Sequence, residues 1–244
     1  MKQPVIDYRD FRLSRINEPA FSHLKLLIAW PVYFAAYFLT ENLIPAESCH
    51  VIWCPLDDMI PFCEVFLIPY VGWYFLIAGS LLYFMLYNPS NFRNMMRYII
   101  ITQIFAVAIY VIYPSRQDLR PEVFPRDNIL TAIIGLLYFF DTNTGVCPSL
   151  HVAYSLGIAS TWMREKSVGP MVKVLIWLFA ILVCLSTMFI KQHSAVDFFA
   201  ALPIYSRSMI ITRTPGRSWL SVSAMPRARS PPPMTTWRAP HSLA

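Results

Sequence analysis

Charge is what this sequence has least of. Only 14% of its 244 residues are Asp, Glu, Lys or Arg, against nearer a quarter in a soluble domain. Apolar residues fill the deficit at 56%, which excludes an ordinary soluble globule and points to a polytopic membrane protein. No Gly-rich loop of the kind that cradles nucleotide phosphates is present. The five cysteines form no Cys-x-x-Cys pair, and no His/Cys cluster has zinc-ligand spacing. No cofactor is therefore implied. Residues 1–23 are polar and basic, with Lys2, Arg9, Arg12 and Arg15. They lack the early apolar core of a cleaved signal peptide. Acidic residues are missing from 204–244, where six arginines account for the net charge of +6. Elsewhere the two signs balance, so the basic excess gives no ground for nucleic-acid binding.

What is present is a series of apolar runs. Those at 24–43, 65–87, 98–113, 150–163 and 171–190 approach the ~20 residues that cross a bilayer, the third and fourth being somewhat short. The connection 44–64 carries Glu47, Asp57, Asp58 and Glu64 and reads as a solvated loop. Residues 88–97 read as a short loop with Arg93 and Arg97. The longest connection, 114–148, contains Ile129–Phe140, apolar but too short to cross. A sixth helix starts at 196–205 and is interrupted by Ser206, Arg207 and Ser208. The expected fold is all-α: a membrane bundle of five spans and an incomplete sixth. Its parts are a cytoplasmic segment 1–23, a helical membrane domain 24–205 and a tail 206–244. The tail is rich in Arg, Ser and Pro and too poor in apolar surface to fold alone. It reads either as translation in a shifted frame from about Ile204 or as a genuine disordered extension.

Lys and Arg mark the cytoplasmic side. The N-terminal segment, the Arg93/Arg97 loop and the Arg164/Lys166 loop alternate with the acidic 44–64 connection. The N-terminus is thus expected inside, in a multi-pass plasma-membrane protein. Cys49, Cys54 and Cys63 share the first outer loop, where a disulfide between two of them and free thiols are both open readings. Cys184 falls mid-span, as packing.

Three short pieces carry chemistry. In Gly145-Val146-Cys147-Pro148-Ser149-Leu150-His151 a turn leads into a helix, with Pro148 suited to its first position. Ser149 and His151 then sit where free N–H groups and the helix dipole favour a phosphate. Downstream, Lys191-Gln192-His193-Ser194-Ala195-Val196-Asp197 sets His193 and Asp197 four apart, on one helix face. Upstream stands Arg120-Pro121. Cys147 has no base beside it.

This ordered triple resembles the type 2 phosphatidic acid phosphatase family, which shares its fold with vanadium haloperoxidases. The family's signatures are Lys-x6-Arg-Pro, Pro-Ser-Gly-His and Ser-Arg-x5-His-x3-Asp, and the likeness covers roughly 57–203. The chain is also similar to the inositol-phosphotransferase and sphingolipid-synthase branch. The resemblance implies that His193 is a nucleophile forming a phosphohistidine, oriented by Asp197. It implies that His151 protonates the leaving oxygen and then activates water. Arg120, Ser149 and Lys191 would bind phosphoryl oxygens, with no metal and no other cofactor. Tyr113 stands where the family has Lys, Leu150 where it has Gly, and Thr187 where it has Arg. The expected function is hydrolysis of a membrane lipid phosphate or diphosphate at the extracytoplasmic face. The alternatives are a phosphotransferase between lipids and an inactive, truncated family member. Oligomeric state is left open.

Overall fold

The computed structural model describes residues 4–213, so most of the tail, 214–244, lies outside the described residues. The described α-helices are α1 Ala29–Leu43, α2 Pro55–Met59, α3 Leu67–Tyr87, α4 Pro89–Ile112, α5 Ile129–Phe140, α6 Leu150–Arg164, α7 Pro170–Phe189 and α8 Ala195–Arg213. Two short strands, β1 His50–Val51 and β2 Ser115–Arg116, pair in parallel. The fold is an all-α bundle, as the apolar runs indicate.

Four stretches are long and apolar enough to cross a membrane: Ser22–Leu43, Glu64–Tyr87, Pro89–Ile112 and Pro170–Phe189. The expected count of five is corrected at 150–163. Helix α6 has 15 residues, a rise of about 22 Å, against ~30 Å of hydrocarbon. It is the central helix instead, packed by α3, α4, α7 and α8 and buried on almost every side from Leu150 to Trp162. Small residues make that position available. A Cβ on Gly157 would meet the Tyr98 ring at 2.1 Å, and Tyr98 Oη donates to the Ala153 carbonyl at 2.6 Å. A helix enclosed by protein can carry Ser155, Ser160 and Thr161, which lower its apolar average, because lipid never touches them.

Two further expectations are corrected. Residues 88–97 are no loop: Asn88 alone joins α3 to α4, and its side chain accepts from Asn91 N at 3.1 Å while Pro89 fills the first helical position. Arg93 and Arg97 are helical. Nor do Ser206, Arg207 and Ser208 break the last helix, since α8 is continuous to Arg213. Thr102 Oγ1 donates to the buried Ser208 Oγ at 3.3 Å, and the Tyr205 and Ser160 hydroxyls share a bond at 2.7 Å. Packing against α4 and α6 outweighs the weak local preference of serine. The interruption that motivated an inactive, truncated reading is therefore missing from the described helix.

Helix α3 shows why the elements associate. Leu67, Tyr70, Trp73, Ile77, Ser80 and Phe84 recur every three or four residues and face inward. Ile68, Val71, Phe75 and Leu82 face outward, as do Leu175, Leu178 and Leu182 of α7. Such apolar belts are stable against lipid and a liability against water. Helices α1, α4 and α7 end, and α3, α6 and α8 begin, at one end of the bundle. There Phe66 stacks on Phe189 at 4.3 Å and Tyr37 meets Tyr110 at 6.2 Å.

The acidic connection at that end is not a solvated loop. Glu64 and Asp57 are both buried. Arg126 donates twice to Glu64, at 2.7 and 2.6 Å, and Asn128 adds a third bond at 3.0 Å. Glu47 and Asp58 stay exposed, Asp58 accepting from Trp53 Nε1 at 3.1 Å. Cys49, Cys54 and Cys63 are free thiols, so of the two open readings the disulfide is not formed.

Candidate active site

The loop into α6 is set by its backbone. Gly145 has φ +60°, a conformation that suits a residue without Cβ. Its N–H donates to the Ser115 carbonyl at 2.7 Å, and Cys147 N donates to Ser115 Oγ at 3.1 Å. Pro148 is not the first helical residue, as its sequence context suggested; the cap is Ser149 and α6 starts at Leu150. Ser149 Oγ is fully buried and accepts from Val152 N at 3.5 Å. His151 follows in the first turn. Its ring packs on Tyr70 at 4.6 Å and on Trp73 at 4.1 Å, and its Nε2 has no protein partner. Burial, and then the neighbouring His193, hold His151 well below the usual histidine range.

The start of α8 is a tight turn. Lys191 takes a left-handed φ of 54°, and Gln192 N and His193 N both donate to the Thr187 carbonyl, at 2.9 and 3.0 Å. The Asp197 carboxylate, fully buried, accepts from Ser194 N at 3.0 Å and from His193 Nδ1 at 3.2 Å. Asp57 reaches in from α2: Ser194 Oγ donates to it at 2.5 Å and Ala195 N at 2.7 Å. Ser149 N donates to the Asp197 carbonyl at 3.2 Å, tying the two helix starts together. The imidazoles of His151 and His193 stand edge to face, 5.6 Å between centroids.

No family model, curated protein or solved structure matches this chain. Its chemistry must therefore be argued from the geometry and the motifs.

A cavity of about 650 Å³ opens against the two rings. Its wall along α3 runs from Tyr70 to Leu81, about 16 Å at the rise of a helix. Helix α1 faces it with Trp30, Tyr33 and Tyr37. The polar groups gather at the histidine end: Asp141, Thr142, Thr144 and Gln192. Burial raises the Asp141 carboxyl above its ordinary value, while Arg120 and His193 pull it back. Gln192 Nε2 donates to Asp141 at 3.3 Å.

Of the six residues singled out in the sequence, the structure brings His151, His193 and Asp197 together. Ser149 lies beneath them as a cap. Two expectations are corrected. Arg120 does not present its guanidinium to the cavity: it donates to the carbonyls of Tyr138, Asp141 and Thr142 at 2.9 to 3.1 Å and to Gln192 Oε1 at 2.7 Å. Lys191 Nζ donates to the carbonyls of Asp57 and Ile60, at 2.8 and 2.6 Å. Both cations satisfy backbone acceptors at helix ends, which a buried segment must pair somewhere. Among the described residues no Lys or Arg lines the cavity. None of them forms a group of three or more His, Cys, Asp and Glu able to hold a metal. Burial and the adjacent Asp197 push the Cys147 thiol up to about 12, which makes it a poor nucleophile.

Sequence reading missed Asp57, Asp141, Gln192 and the aromatic wall. The wall had a signal, since Trp30, Tyr33 and Tyr37, like Tyr70, Trp73 and Ile77, are spaced three and four apart. Gln192 adjoins His193, and Asp141 ends the apolar run 129–140. Nothing in the sequence pairs Asp57 with Ser194.

Proposed function

We propose that this chain is an integral membrane enzyme that cleaves a phosphoester or diphosphate bond of a lipid through a phosphohistidine on His193. The observation that carries the reading is the pair of imidazoles, one backed by a buried carboxylate, facing each other at the head of an aromatic cavity between membrane-length helices. The resemblance to the type 2 phosphatidic acid phosphatases supports it, and so does the basic character of the opposite end of the bundle, which favours an extracytoplasmic site.

In this scheme His193 Nε2 attacks phosphorus and the bond from phosphorus to the lipid oxygen breaks. Asp197 accepts from Nδ1–H and stabilises the positive charge that develops on the ring. His151 gives its proton to the leaving oxygen. Water then attacks phosphorus, His151 takes a proton from it, and the phosphorus–nitrogen bond breaks to release phosphate. Burial and His193 disfavour the charged form of His151. A phosphate dianion between the rings supplies the negative charge that favours its protonation.

A second reading is transfer to an alcohol rather than to water. The cavity's polar end favours it, because Asp141 and Gln192 suit a hydroxyl, while Arg120, bonded to Gln192 and to the Asp141 carbonyl, does not line the cavity. Purified protein with a radiolabelled lipid phosphate separates the two: free phosphate marks hydrolysis, a new labelled lipid marks transfer. His193→Ala should lower either activity by about a thousandfold or more. Turnover retained in that variant would remove the phosphohistidine.

A further inference from the structure

One oxygen of the carboxylate that backs His193 has no partner. Both hydrogen bonds to the Asp197 side chain end on Oδ2, from Ser194 N at 3.0 Å and from His193 Nδ1 at 3.2 Å. Oδ1 accepts from nothing, although Asp197 is fully buried. A buried carboxylate oxygen left unpaired is costly and calls for an explanation. It also bears on the chemistry. The carboxylate torsion is broad and roughly two-fold, so bonds to one oxygen alone fix the plane of the group poorly. His193 takes its own angle from that plane.

The residue placed to hold Oδ1 is Cys147. Its thiol lies beside Asp197, which after burial is the chief cause of its raised pKa. The approach is close, but no aligned bond forms. A turn about the Cα–Cβ bond re-aims a thiol. Tyr110 also feels the Asp197 charge, but its hydroxyl is used on the Pro148 carbonyl at 3.0 Å. The backbone around Cys147 is pinned: Cys147 N donates to Ser115 Oγ at 3.1 Å, and Ser149 N to the Asp197 carbonyl at 3.2 Å. Val146 and Leu150 line the cavity, whereas Cys147 and Asp197 do not. The thiol thus meets the carboxylate behind the reacting groups, away from the substrate's space.

We infer that Cys147 is a positioning residue: its S–H donates to Asp197 Oδ1 and fixes the carboxylate plane against which His193 is aligned. A thiol is a weak donor, so it steadies the carboxylate without drawing its charge away from His193. With its pKa pushed up to about 12, the thiol keeps its proton and remains a donor at neutral pH. This inference rests on the phosphohistidine reading above and deepens it.

Two variants and one spectrum test it. Cys147→Ala removes the donor, and Cys147→Ser keeps one. On a radiolabelled lipid phosphate the Ala variant should lose about tenfold in kcat with KM unchanged, and the Ser variant should stay within about threefold of the parent. Packing alone predicts the reverse order, because a hydroxyl is the costlier group to bury where a thiol packed. Infrared difference spectra of the parent against Cys147→Ala isolate the S–H stretching band of this thiol. The band should rise in frequency in Asp197→Asn, whose neutral amide is the weaker acceptor. A band unmoved in Asp197→Asn, or Cys147→Ser no faster than Cys147→Ala, overturns the inference and leaves the phosphohistidine reading standing. Parent protein that turns over no lipid phosphate removes that reading and this role together, even where the band still reports the contact.

Discussion

The two histidines stand on helix starts built in different ways. At α8 the side chains are tied by hydrogen bonds, with one Asp197 carboxylate oxygen left over. Asp57 holds Ser194 and Ala195, Asp197 holds His193, Arg120 holds Gln192, and Lys191 holds the chain that bears Asp57. At α6 the cap is a long 3.5 Å contact, and His151 is held by ring stacking alone, with Nε2 unpaired. Hydrogen bonds fix a tautomer and an angle; stacking fixes a plane and leaves protonation free. The first arrangement suits a nucleophile whose lone pair must point at phosphorus. The second suits a group that gives up a proton and takes one back.

The contrast can be broken at several points. Asp57→Ala leaves a buried hydroxyl and a helix N–H unpaired, which should cost about 3 kcal/mol of stability, read as thermal unfolding in detergent. Asp58→Ala, beside it on the surface, should stay within about 0.5 kcal/mol. Equal effects would mean that Asp57 does not anchor α8.

Lys191→Met comes next, at about 1–2 kcal/mol. The sequence reading makes Lys191 a phosphate ligand in place of the arginine that Thr187 replaces, so KM should rise with stability unchanged. The structure makes it a strut, so the thermal midpoint should fall first.

Tyr70→Leu removes one side of the stack on His151. The expected result is about a tenfold drop in kcat with a small change in unfolding temperature, and an acid limb of the rate profile moved towards the ordinary histidine value. An unchanged profile would show that stacking does not set the behaviour of His151.

The smallest effect belongs to Asp141. Its folded carboxyl titrates above the unfolded value, so the stability it contributes is present in acid and lost as pH rises through the folded pKa. Asp141→Asn cannot ionise. Its midpoint should exceed that of the parent at pH 7, and the gap should close towards pH 4. A gap constant with pH would place the cause elsewhere.

Much of the helical content was legible because apolar runs have a single reading in a chain this poor in charge. The runs at 65–87 and 171–190 and the short helix Ile129–Phe140 all occur as helices at nearly those bounds. The His193–Asp197 contact follows from a spacing of four at a helix start. Other features were illegible for a common reason. Whether 150–163 meets lipid or protein depends on neighbours, and Gly157 against Tyr98 shows how close they come. The stretch 206–208 reads as a breaker because the bonds that hold it, Thr102 with Ser208 and Ser160 with the adjoining Tyr205, span different helices. Arg120 and Lys191 read as phosphate ligands because sequence records a charge and not the carbonyls around it.

From residue order alone came an apolar helical bundle, two histidines at helix starts and an acid one turn beyond the second. Those are properties of local spacing and composition, which need no partner. Only the assembled bundle decided which helix is central, which cations are spent on backbone, and that an aromatic slot opens below the imidazoles. Each of these depends on groups far apart in the chain, whose distances no local pattern encodes.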